Sequence, residues 1–488
     1  MDHHRFKLLI VSGDMPSHVY ASAKLAHVYA SLGHQVTIAA PEGPAMEKMN
    51  SLVEDIKEVR RVSSGKTGTL NQINQRTITN PYSYHTILKA LRHPFPDAYA
   101  IAKMITIEHD GMYDSIRDLI RIGAFDVVIP IHSVSPVVCD AVESLESSAK
   151  VLIFSSTPYD PATYLPPSQT WNLTRALSTF PHVSAYSSRR PENILVGWHH
   201  QFWKWLDTWF TQRAWDRSGV LVNEYREKRG LEPIAGGYIG YQRRYPSLVV
   251  GGVPPFLDES YPISPQVTVV GTLDDIDDAR EPIDEDLNHW LNQAESRIVY
   301  IGFGTGTKLN ENEAANATGH LYRSLLEQFG EPVRFLFALR GLEQERLRKV
   351  FDFAFGSQPS SESKRKLEYM NGHFRIQDNV PQAALLDSGK VNVFVSHMGM
   401  GGFTEGSQGG VPFVCCPSGC DQFFNTARAI DAGIGVRVSA GFADLSDRVM
   451  EVLQNKSMQE RSKDVAHELQ HFDGKEQAQQ ALENLISE

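Results

Sequence analysis

The chain is short of cysteine, short of positive charge and without long apolar runs, and each shortage closes a class of function. Its 488 residues include four cysteines, Cys139, Cys415, Cys416 and Cys420. Two of them are adjacent in an apolar stretch and no spacing resembles a zinc site, so buried reduced thiols are expected rather than a disulfide framework. A net charge of −11 speaks against nucleic acid, which requires a basic face. No run of eighteen apolar residues occurs, so no membrane span is expected. The apolar stretch Phe6–Val11 is followed by Gly13-Asp14 rather than by a small-residue cleavage site. A signal peptide is therefore not expected, and a cytoplasmic location is.

What the sequence does have is ordinary globular composition, 41% hydrophobic and 22% charged, at a length that exceeds one core. Phe6–Val11 reads as a strand, and Ala21, Leu25, Val28 and Leu32 fall at helical spacing before Gly33. Val36–Ala40, Val127–Ile131 and Val151–Phe154 read as further strands, and Pro265–Thr272 as the last strand of a first domain. Alternation of strand and helix predicts an α/β fold with parallel sheets covered by helices. The expected division is residues 1–273, an acidic linker 274–290, and a second α/β domain 291–488 opening at Ile298–Gly306. The last helix of that second domain is left free to pack back on the first.

The densest pattern runs from Arg375 to Val438. A strand, Val391–Val395, leads into Ser396-His397-Met398-Gly399-Met400-Gly401-Gly402-Phe403-Thr404-Glu405. A strand that ends in glycines and opens a helix suits phosphate: Gly399, Gly401 and Gly402 let the backbone approach, and the helix N-terminus offers unpaired N–H groups and a positive dipole end. Glu405, one turn on, can accept both hydroxyls of a ribose. Asp421-Gln422, after a second apolar strand, suits another polyol. Gly302–Thr307 is a further glycine-rich strand end with hydroxyls at Thr305 and Thr307.

With Pro381-Gln382, Gly410-Val411-Pro412 and Asn425, this stretch resembles the nucleotide-sugar signature of the family 1 UDP-dependent glycosyltransferases, the UDP-glucosyl and glucuronosyl transferases. Met400 and Gly401-Gly402 stand where the plant-type signature has Trp and Asn-Ser, and Asn379 stands where it opens on Trp. The resemblance implies the GT-B architecture, two Rossmann-like domains with parallel sheets facing across a cleft. It implies donor binding by Gly304, Thr305, Gln382, His397, Gly399, Gly401, Gly402, Glu405, Asp421 and Gln422. In that scheme His397 meets the diphosphate, Glu405 the ribose, and Asp421 and Gln422 the sugar. It implies inverting transfer of a hexose, glucose foremost, from a UDP-sugar co-substrate, with no cofactor.

Direct displacement at the anomeric carbon needs a base for the acceptor hydroxyl, and histidine suits that role. His18 lies in the loop after the first strand, where α/β sheets bind ligands, and the family places its catalytic histidine there. The family's partner aspartate has no counterpart: its position, counted from Asp126, is Ile131. His132 or Ser133 is left to reach His18, and His132 is taken as a second catalytic candidate. His132→Ala is expected to impair catalysis more than Asp126→Asn.

Asp275-Ile276-Asp277 and Asp284-Glu285-Asp286 resemble metal-binding D-x-D strings, but they fall in the acidic linker and are expected to be solvated. No metal is expected. Trp198, Phe202, Trp205 and Trp209 recur at helical spacing. They form either a buried aromatic helix face or a pocket for a lipophilic or phenolic acceptor, with peripheral membrane contact a further reading. A monomer is expected. Two other functions stay open on this architecture: a UDP-sugar 2-epimerase-like isomerase and a non-catalytic sugar-nucleotide-binding subunit.

Overall fold

A computed structural model describes residues 5–13, 16–41, 49–50, 58–62, 111–157, 164, 219–250, 263–271, 273, 282–293, 297–303, 333–338, 373–417, 421–439, 442–472 and 474–487. The chain divides into two compact units. One comprises Met1–Val183, Arg190–Ile276 and Phe472–Glu488, the other Ser184–Arg189 and Asp277–His471.

The first unit is built on a parallel sheet. Its strands are β1 (Lys7–Val11), β2 (Gln35–Pro41), β3 (Glu58–Val62), β4 (Val127–Pro130) and β5 (Lys150–Val151), in the order β3-β2-β1-β4-β5. Leu8, Leu9, Ile10 and Val11 are all fully buried, because a central parallel strand is covered on both faces and leaves no polar side. The path continues into β6 (Ile153–Ser155), which pairs with β7 (Ser247–Val249), itself paired with β8 (Val267–Val269). Leu152 N bonds back to Val128 O while Ile153 N bonds across to Pro246 O. The segment read from sequence as one strand thus serves two neighbours, one on each side. The expected Pro265–Thr272 strand is shorter, Val267–Val269.

Helix α1 (Pro16–Ser31) follows β1. Proline at its first position loses no needed N–H, and Gly33 at φ 90° releases the chain into β2. The C-terminal helix Gly474–Ser487 packs here as well: Tyr29 Oη donates to Ala478 O at 3.1 Å, and His34 Nε2 lies 2.8 Å from Gln479 Oε1. Ala478, Ala481, Leu482 and Leu485 join the core of the first unit. At about 2 kcal/mol for each large side chain buried, this helix contributes substantially to that unit's stability.

The second unit has a six-stranded parallel sheet. It is formed by β9 (Arg297–Gly302), β10 (Val333–Ala338), β11 (Phe374–Gln377), β12 (Val391–Ser396), β13 (Phe413–Cys415) and β14 (Gly435–Arg437). The order β11-β10-β9-β12-β13-β14 is the doubly wound 3-2-1-4-5-6 arrangement, whose crevice opens where the order reverses, between the first and fourth strands. The same reversal lies between β1 and β4 of the first unit. The loops after β1 and β4, and those after β9 and β12, are therefore the places the topology reserves for ligands.

Asp284-Glu285-Asp286 is solvent-exposed, as expected, and opens a helix, Glu285–Asn292. Asp284 Oδ1 accepts from Leu287 N at 2.7 Å, capping it, and Asp286 pairs with Arg375 across to β11. Asp275 and Asp277 lie outside the described residues. Cys139, Cys415 and Cys416 are buried free thiols.

Candidate active site

At the first unit's reversal, β1 delivers Gly13 and α1 delivers His18, while β4 delivers His132 and Ser133 in the short turn His132–Val134. His18 Nδ1 lies 2.9 Å from Ser133 Oγ. Both residues are buried, at 5% and 3% exposure. Gly13 makes this contact possible: a Cβ there would stand 2.8 Å from Ser133 Oγ and 2.9 Å from His18 Nδ1. The turn is pinned from outside, since the His132 carbonyl accepts from Tyr238 Oη and from Ser135 Oγ, each at 2.8 Å. Helix Ser135–Ser144 behind it is anchored by Asp140, which takes bonds from Arg226, Arg229 and the Tyr241 hydroxyl.

His132 packs edge-on against the His18 ring, with centroids 4.9 Å apart. Its Nδ1 is buried and makes no hydrogen bond among the described residues. Burial pulls its pKa down to about 4, so the ring is neutral at neutral pH. Ile131, at the position where the family has aspartate, is buried and bridges to Phe154. Asp126 sits at the opposite end of β4, accepting from Lys7 N at 2.7 Å.

At the second unit's reversal, β12 ends at Ser396 and α7 (Met400–Gln408) opens with Gly399 as its N-cap. His397 is half-buried against it. Its ring bonds the Gly302 backbone, and burial lowers its pKa to about 4. A Cβ on Gly399 would come within 2.5 Å of His397 Nε2, whereas one on Gly401 would meet nothing within 4 Å. Gly401 therefore leaves the first turn bare, as an approaching anion requires. Gly402 is buried beside Ser396 and Gln382.

Met398 holds this turn in a conformation that side chains avoid, at φ 66°. Two contacts offset a strain of about 1–2 kcal/mol. Met398 N donates to Ser396 Oγ at 3.0 Å, and Asn425 Nδ2 donates to Met398 O at 2.9 Å. Asn425 also reaches Asp421 Oδ2 at 3.1 Å. The Asp421 carboxylate further accepts from the Met400 backbone, which sets it at the first turn of α7. Burial raises its pKa to about 6 against those bonds. Gln422 opens the next helix, Gln422–Asp431.

Glu405 lies on α7 and is held by Gln382, which in turn accepts from the Tyr300 hydroxyl at 2.9 Å. Of the sequence-derived donor set, His397, Gly399, Gly401, Gly402 and Asp421 lie at one helix start, Gln382 and Glu405 pair beside it, and Gln422 opens the following helix. Gly304, Thr305, Trp198, Phe202 and Trp205 lie outside the described residues. The sequence reading gave no role to Gly13, Ser396, Met398 or Tyr300, because their contributions depend on contacts across the sheet. A glycine at the end of a first strand, before a candidate histidine loop, was the one available signal for Gly13.

Among the described residues no helix is long and apolar enough to cross a membrane, and no group of three potential metal ligands occurs.

Residues 255–469 match the family model described as UDP-glucoronosyl and UDP-glucosyl transferase. Over 186 residues the chain is 27% identical to flavanone 7-O-glucoside 2''-O-beta-L-rhamnosyltransferase of Citrus maxima, covering 37% of this chain and 38% of that protein. Over 297 residues it is 25% identical to ecdysteroid UDP-glucosyltransferase of Lymantria dispar multicapsid nuclear polyhedrosis virus, covering 58% and 53% respectively. The chain thus spans about half or less of the length of these relatives. Among solved structures, the glycosyltransferase of kitacinnamycin is similar at a TM-score of 0.62 and 17% identity, covering 99% of this chain and 100% of that one. LpCGTa in complex with UDP is similar at 0.62 and 16%, with the same coverage. Residues 255–469 are thus similar to the UDP-glucosyl and glucuronosyl transferases, and the fold across nearly the whole chain is the GT-B fold.

Proposed function

We propose that the chain is an inverting glycosyltransferase that moves a hexose, glucose foremost, from a UDP-sugar to the hydroxyl of a lipophilic or phenolic small molecule. The carrying observation is the bare start of α7, where Gly399 and Gly401 precede a carboxylate, Glu405, already oriented by Gln382. Backbone N–H groups and the helix dipole neutralise the diphosphate, both when it is bound and when it departs with extra charge. Glu405 takes the ribose hydroxyls, and Asp421 with Gln422 takes the sugar. The first unit supplies the base: His18 removes the acceptor proton as the new bond forms at the anomeric carbon and UDP leaves. The names of relatives acting on flavonoids and on an ecdysteroid support a flat or lipophilic acceptor.

Incubation with UDP-glucose and a panel of phenolic and sterol acceptors tests this reading. A product heavier by one hexosyl group, with an equal amount of free UDP, is expected. Isomerised UDP-sugar without acceptor product would identify an epimerase, and UDP-sugar binding without turnover would identify a binding subunit.

A further inference from the structure

We propose that Ser133 is the positioning residue of His18, accepting a hydrogen bond from Nδ1–H so that Nε2 is the basic nitrogen, and that the site is thereby matched to acceptor hydroxyls that release their proton readily. This inference rests on the reading of His18 as the base.

The 2.9 Å contact between Ser133 Oγ and His18 Nδ1 allows two arrangements. If the hydroxyl donates, Nδ1 is the bare nitrogen and Nε2 carries the proton, so Nε2 cannot accept another. If the hydroxyl accepts, Nε2 is bare. Only the second survives the reaction unchanged, because in the imidazolium both nitrogens donate. The bond Nδ1–H···Oγ then holds the ring before and after proton uptake, with no rotation of the serine hydroxyl.

The surroundings are built around that contact. Gly13 has no side chain to wedge between the two groups, and the turn bearing Ser133 is fixed by the Tyr238 and Ser135 bonds to its first carbonyl. The other ring packed on His18, His132, is neutral and meets it edge-on, so it fills space without adding charge.

The step balances simply. The acceptor oxygen gives its proton to Nε2 and forms the bond to the anomeric carbon. The bond from that carbon to the diphosphate oxygen breaks, its electron pair leaving with UDP. Ser133 stays neutral throughout. A hydroxyl at Nδ1 stabilises the developing imidazolium less than a carboxylate would. The burden shifts to the acceptor, which favours a phenol, with a pKa of about 10, over an aliphatic alcohol, a far weaker acid closer to water.

The test compares wild type with Ser133→Ala, Ser133→Thr, Ser133→Asp and His18→Ala. Each is assayed with UDP-glucose against the best phenolic acceptor and an aliphatic alcohol of similar size, with UDP affinity measured by calorimetry to confirm folding. Ser133→Ala is expected to lower kcat on the phenol by about 10- to 100-fold with little change in KM, as for partners that orient a working ring, and Ser133→Thr to keep most of it. Ser133→Asp is expected to raise kcat on the alcohol more than on the phenol, and to move the acidic limb of the kcat profile to higher pH. If His18→Ala loses activity while the three Ser133 variants keep wild-type kcat and pH profile on both acceptors, the role of Ser133 is overturned alone. If His18→Ala keeps wild-type kcat, the base itself is misassigned and this proposal falls with it.

Discussion

Gln382 holds Glu405: its Nε2 donates to Oε2 of the carboxylate at 2.7 Å. A carboxylate offers about four acceptor positions, so ribose hydroxyls can bind beside this bond, and the Tyr300 hydroxyl fixes which way the amide faces. UDP should therefore bind more tightly than TDP, whose deoxyribose lacks one of the two hydroxyls. The loss of about 1–3 kcal/mol for an unmatched polar group corresponds to roughly 5- to 150-fold in affinity. Calorimetry of both nucleotides on wild type and Glu405→Ala checks this. The preference should vanish in the variant, and equal affinities in the wild type would remove Glu405 from the ribose site.

Chelation should leave turnover intact. In the proposed site the diphosphate charge is met by the N–H groups and dipole of α7, which need no ion. Asp284 and Asp286 are engaged with Leu287 N and Arg375 respectively. Activity lost in EDTA and restored by magnesium or manganese would contradict this assignment.

Much of this architecture was legible because strands and glycines are local signals. The apolar runs of β1 and β9, and β12 with its single Asn392, announced buried parallel strands, and the residues closing them fell where the sheet order reverses. Edge strands were not visible in the same way. Phe374–Gln377 is half-buried along its length, and Gly435–Arg437 has three residues, so neither carries a readable period. The acidic Asp284–Asp286 string looked like linker because charge density resembles solvation, yet a carboxylate before a helix is also its best cap. Contacts such as Ser133 to His18, separated by 115 positions, are set by tertiary packing. Sequence could name the candidates, and the fold gave Ser133 the hydrogen bond and His132 the ring contact.

His18→Ala should slow transfer by about 10²–10⁴-fold, the usual worth of a general base, while UDP affinity stays nearly unchanged. The proposed base and the proposed nucleotide site belong to different units, which is why the two effects should separate. Gly13→Ala should act through the same contact, since its Cβ would press on both Ser133 Oγ and His18 Nδ1. A displaced base should cost on the order of 10²-fold in rate. Single-turnover rates on a good phenol, beside calorimetric UDP affinities, measure the split. A His18→Ala rate within a few-fold of wild type would exclude it as the base.

Asp421 gives the second unit a pH dependence whose sign can be worked out. Burial raises its pKa to about 6, against about 3.9 in an unfolded chain. A carboxyl with a raised folded pKa binds its proton more tightly when folded, so the associated stability is fully present below about pH 4. It is lost as pH rises through about 6, where the folded group must ionise against burial. Asp421→Asn keeps an oxygen for the Met400 N–H and does not titrate. The stability of wild type relative to Asp421→Asn should therefore fall between pH 4 and pH 7, then level off. Hydrogen exchange of the β12 and β13 amides reports it locally, avoiding interference from carboxylates in the first unit. A difference that stays flat over this range, or that rises with pH, would mean that the carboxylate ionises freely and is not buried at the start of α7.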